Sequence, residues 1–137
     1  MNSSAFRTMF CAAALILLVT NAPSQEKQRS GPQAKVILLQ SQGQEVTPVL
    51  SGPPETVTMR SGFVVLTPGK SVGKHSTQQN EELLVVLEGK GQMTFHDGSK
   101  LPVEANHAVY CPPETEHNVT NTGKGRLRYV YVVAKAK

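Results

Sequence analysis

The chain has 137 residues and a formal net charge of +4, with 14 Lys and Arg against 10 Asp and Glu. That length holds one domain around one core. The basic residues are scattered, the densest run being KGRLR at Lys124–Arg128, and a nucleic-acid surface needs clustered cations interleaved with aromatics, so no nucleic-acid partner is expected.

In the first 24 residues the only charge is Arg7, followed by the apolar run MFCAAALILLV at Met9–Val19 and the stretch TNAPS. A short basic region, an apolar stretch and small residues at the cut are the pattern of a secretory signal peptide. The run is shorter than the roughly 20 apolar residues that span a bilayer. Residues 1–24 are therefore read as a signal peptide, and the mature chain from Gln25 is expected to be secreted or periplasmic, with no membrane partner. Loss of Arg7 lowers the charge from +4 to +3. Cys11 leaves with the peptide, so Cys111 has no disulfide partner, and burial as a small apolar side chain is its expected fate.

Residues 25–34 (QEKQRSGPQA) are polar and read as a flexible leader. The domain is expected over 35–137. Its apolar runs are short and strand-like: Val36–Leu39, Val46–Leu50, Val57–Arg60, Phe63–Thr67, Glu82–Leu87, Gln92–His96, Lys100–Val103, Ala108–Cys111, Asn118–Thr120 and Arg126–Val133. Turn residues separate them, at Gly52-Pro53-Pro54, Pro68-Gly69, Gly89, Asp97-Gly98, Pro112-Pro113 and Gly123. Asp-Gly between alternating segments is a strong hairpin signal, and the whole pattern predicts an all-β sandwich or barrel.

Alternation assigns the faces. Glu82, Leu84 and Val86 share one face of their strand, Leu83, Val85 and Leu87 the other, so this strand is predicted to be buried on both. Glu82 then enters an apolar setting, where an ionised carboxylate is costly unless it is paired or metal-bound. Without a metal such a setting raises a carboxyl pKa, which would let Glu82 shuttle a proton. In the last strand Leu127, Tyr129, Tyr131 and Val133 share a face, and the tyrosines are assigned to the core or to a dimer interface.

His75, Glu82 and His117 are the candidate metal ligands. Two imidazoles and one carboxylate hold a first-row transition metal with coordination positions left open. Glu81 is the competing carboxylate, but alternation puts it on the other face. His96, beside the Asp-Gly turn, and His107, before a strand, are read as surface and turn residues.

Two stretches, GKSVGKHSTQQNEELLVVLEG (69–89) and NHAVYCPPETEHNVTN (106–121), resemble the two short motifs of the cupin superfamily. Gly69, His75, Glu82 and Gly89 fall at the spacings of the first motif, with Thr77 at the place of its second histidine. Pro112, His117 and Asn121 match the second motif, where Asn106 and Glu114 stand in for its two glycines. The resemblance implies a double-stranded β-helix, or jelly-roll, barrel with His75, Glu82 and His117 converging in its mouth on a divalent metal ion (Fe, Mn, Zn or Ni). Thr77 then marks the missing fourth ligand, with a hydroxyl available to a metal-bound water. A small-molecule ligand and a homodimer are further expectations. The activity expected is binding of, or action on, a small molecule, with dioxygenation of an aromatic or dicarbonyl compound the first reaction class. The alternative is a non-catalytic ligand-binding or structural barrel with a degenerate metal site.

Overall fold

The computed structural model describes residues 31–136; the expected signal peptide and the first part of the leader lie outside them. Among the described residues nine strands form: β1 (Val46–Leu50), β2 (Arg60–Leu66), β3 (His75–Ser76), β4 (Asn80–Glu88), β5 (Lys90–Phe95), β6 (Lys100–Glu104), β7 (Ala108–Cys111), β8 (Glu116–Asn121) and β9 (Leu127–Lys135). They make two antiparallel sheets, one ordered β1-β2-β9-β4-β7 and the other β3-β8-β5-β6. This is the expected all-β double-sheet jelly roll. Asp97-Gly98 turns β5 into β6, with the Asp97 carboxylate accepting from the Ser99 N–H at 2.9 Å.

The inner faces of both sheets enclose the core. Val64 and Leu66 of β2, Leu84 and Val86 of β4, and Leu127 of β9 meet Met93, Val103 and Val119 of the smaller sheet. Cys111 belongs to this core, with its Sγ 3.3 Å from Met93 Sδ. Burial pushes its thiol up to about 11, helped by the Glu82 charge, so it stays protonated and inert.

Three predicted features differ. Val36–Leu39 is not a strand; it runs as coil with Val36 and Leu38 exposed, because no strand lies beside it. Val57–Arg60 is bend and coil up to Arg60, where β2 begins. The bend follows from the Gly52-Pro53-Pro54 corner, across which the Thr56 N–H donates to the Gly52 carbonyl. The third difference is β4, which is buried on one face only: Glu82, Leu84 and Val86 are inside, whereas Leu83, Val85 and Leu87 are about 40 % exposed. Nothing in the described chain covers that outer face.

Candidate metal centre

Strand register assembles the site. The two-residue strand β3 pairs with β8 so that His75 stands directly opposite His117, and their ring centroids lie 4.3 Å apart. Glu82 faces them from β4 of the other sheet, beside Val133 of β9 and Cys111 of β7. The side-chain donor atoms of His75, Glu82 and His117 all lie within 4.8 Å of one another. The convergence implied by the resemblance is therefore present.

Hydrogen bonds fix what these groups can do. The ring Nδ1 of His117 lies 3.2 Å from the Thr115 carbonyl and that of His75 lies 3.0 Å from the Gly73 carbonyl. A carbonyl only accepts, so in neutral rings both hydrogens sit on Nδ1 and both Nε2 atoms carry lone pairs. The buried His117 Nε2 is 3.2 Å from Glu82 Oε2 but makes no hydrogen bond, and His75 Nε2 is 3.9 Å from the same oxygen. Three acceptors thus face one point, an arrangement that only a cation balances. Ligands about 2.1 Å from one ion stand roughly 3–4 Å apart, which spans both separations. The residues fit a divalent metal.

Without a metal, the carboxylate favours a proton on the His75 ring. The Glu82 carboxylate raises the His75 pKa against the opposing effect of burial. Burial also acts on Glu82 in the expected upward direction and is the largest single influence, yet the His117 and His75 imidazoles together outweigh it and bring the carboxyl down to about 2. Glu82 is therefore an anion, not the high-pKa acid that an apolar setting alone predicts.

Thr77 has a different task from the one its motif position implies. It is buried, its hydroxyl donates to the Pro112 carbonyl at 2.8 Å and it accepts from the Thr115 N–H at 2.8 Å. It ties the loop after β3 to the loop that presents His117. Glu81 points outward and accepts from the Tyr110 hydroxyl; His96 and His107 are exposed and take no part.

The triad opens into a cavity of about 370 Å³. Its walls include Val64, Val72, Leu84 and Val119, and it also takes in Tyr129, Tyr131 and Arg60, three residues to which the sequence reading gave no site role. Arg60 shares inward parity with Val64 and Leu66 on β2, and that parity is the signal that could have identified it.

A family model described as the Cupin domain matches residues 62–133, more than half of the chain. The chain is 33% identical over 69 residues to an oxalate-binding protein of Thermotoga maritima, a match covering 50% of this chain and 55% of that protein. It is 37% identical over 54 residues to an uncharacterized protein of Methanocaldococcus jannaschii, covering 39% and 42% respectively. The chain thus spans about half the length of the curated relatives it matches. Among solved structures, a cupin 2 conserved barrel domain protein from Salinispora arenicola aligns with a TM-score of 0.63 at 22% identity, over 76% of this chain and 92% of that one. A cupin protein from Bacteroides fragilis aligns with a TM-score of 0.62 at 22% identity, over 77% and 85%. At such identities the likeness shows the fold.

Proposed function

Because the chain belongs to the Cupin domain family, we propose that it binds a divalent metal ion (Fe, Mn, Zn or Ni) through His75, Glu82 and His117 and takes a small molecule into the barrel mouth. One observation carries this reading: two imidazole lone pairs and a carboxylate face one point, while both Nδ1 positions are held by backbone carbonyls. The name of the Thermotoga maritima relative supports a small-molecule ligand. A metal held by three protein ligands supplies a Lewis acid with positions open to a ligand's oxygens. The residues of the chain orient that ligand and exclude water: valines and Leu84 form the wall, and the loop tied down by Thr77 fixes His117.

Elemental analysis of the purified full chain is expected to find about one divalent transition metal per protomer, with His75→Ala and His117→Ala losing it. Wild-type metal content in both variants would remove these residues as ligands. Oxygen uptake with catechols, flavonols and dicarbonyls separates a dioxygenase-like enzyme from a non-catalytic binder. We further propose that two copies associate through the outer face of the five-stranded sheet, because Leu83, Val85, Leu87 and Tyr110 leave an apolar surface there.

A further inference from the structure

The cavity is chemically lopsided. Its metal-binding triad occupies the side formed by β3, β8 and β4. Across the larger sheet from Glu82, two strands away in the same row (Glu82–Val133–Arg60), stands Arg60. Adjacent strands lie about 4.8 Å apart, so the two backbone positions are separated by roughly 10 Å. Among the described residues Arg60 is the only Lys or Arg lining the cavity, and no carboxylate lies within ion-pair distance of it. The next inward row places Tyr131 diagonally between them, opposite Gly62 of β2.

Both side chains rest on glycines. A Cβ at Gly62 would stand 2.5–2.6 Å from the Tyr131 ring and hydroxyl, and one at Gly52 would stand 3.1 Å from Arg60 Cγ. Gly62 thus leaves the space in which the Tyr131 ring crosses β2. The hydroxyl is raised by burial and by the Glu82 charge, and lowered in part by Arg60. Tyr131 therefore stays a neutral hydrogen-bond donor, close enough to Arg60 to feel its charge.

We propose that Arg60 and the Tyr131 hydroxyl form a carboxylate-binding subsite, so that the ligand of this barrel is a small carboxylic acid with a second oxygen donor directed at the triad. A guanidinium offers a two-pronged donor matched to a carboxylate, and the phenol adds a third hydrogen bond. The cavity has no second fixed cation and is otherwise apolar or neutral apart from the triad, so it selects for an anionic end at Arg60 and a chelating end opposite. This inference rests on the metal-binding reading for the chelating end alone.

The test is calorimetric titration of the full chain, loaded with Ni²⁺ and metal-free, with three acid and amide pairs: lactate and lactamide, malonate and malonamate, salicylate and salicylamide. At least one acid is expected to bind the loaded protein about tenfold or more tighter than its amide, the scale of a charge-assisted pair. Arg60→Ala should abolish that preference while leaving Ni²⁺ affinity unchanged, and Arg60→Lys should retain part of it. Tyr131→Phe should lose a smaller share, and Gly62→Ala, which displaces the ring, should match Tyr131→Phe. Equal acid preference in wild type and Arg60→Ala, or no acid bound in either metal state, overturns the subsite. Failure of the metal reading looks different: Ni²⁺ would bind equally to wild type and His75→Ala. An Arg60-dependent acid preference on metal-free protein would then still uphold the subsite.

Discussion

Thr77 stands where the family's first motif carries a histidine, and its two hydrogen bonds give it a structural task there instead. The hydroxyl satisfies the Pro112 carbonyl and the Thr115 N–H at once, so it holds the two motif loops together where the usual residue would hold the metal. Thr77→Val keeps the shape and leaves both backbone groups without a partner. The expected cost is about 2 kcal/mol, or roughly 10 °C in Tm, with Thr77→Ser near wild type; an unchanged melting temperature for Thr77→Val would refute the clamp. Thr77→His should be destabilised too. The convergence of His75, Glu82 and His117 was legible from residue type and motif spacing, and the job of Thr77 was not, because its partners are separated from it by 35 and 38 positions. Asn106 and Glu114 were legible as departures from two motif glycines. The backbone keeps the left-handed conformation there, with φ of 66° and 56°, so the turns persist although the glycines do not.

Among the strands, β3 is the least supported. It has two exposed residues, paired with β8 alone, so its hydrogen bonds open at low free-energy cost. A metal joining His75 of β3 and His117 of β8 to Glu82 of β4 would connect the two sheets through that weak element. Bound metal is therefore expected to slow amide exchange in the segment around His75–Ser76 by at least about tenfold, while β6 on the far edge changes little. Equal protection across both edges would count against a metal at this site. The pH dependence has a definite sign. His75 has a pKa raised above 6.5 by Glu82, so its contribution to metal-free stability is complete below 6.5 and fades as pH rises through the raised value. Glu82, lowered from 4.5 to about 2, contributes above 4.5 and loses this as pH falls toward 2. Metal must displace the His75 proton, so its affinity should drop about tenfold per pH unit once pH lies below the raised pKa. The thermal shift on adding metal should be larger at pH 8 than at pH 6. The strands themselves were largely readable from alternation, which is local. β3 was too short to give a period, and the one-sidedness of β4 depends on what covers the sheet, which no local pattern records.

At the scale of the whole molecule, that one-sidedness bears on assembly. Register aligns Val132, Leu83 and Tyr110 in one row across β9, β4 and β7, and Val130, Val85 and Ala108 in the next, and cross-strand partners share a face. The coil before β1 reaches only part of this surface: Leu39 lines a depression with Phe63, Val65 and Arg128 at the β2 side, and the Arg128 guanidinium lies 5.3 Å over the Phe63 ring. Toward β7 the surface stays open, with Tyr110 54% exposed and Val85 40% exposed. A second copy presenting the same strip supplies a matching apolar surface without new chemistry, since a twofold interface is self-complementary. Light scattering on the full chain is expected to give a dimer, and Val85→Glu, placed at the centre of the strip, a monomer. Because Val85 points away from the core, the variant should fold and keep its metal content, which separates loss of assembly from loss of structure. A monomeric wild type, or a Val85→Glu dimer of unchanged stability, would mean that this face is left open to water.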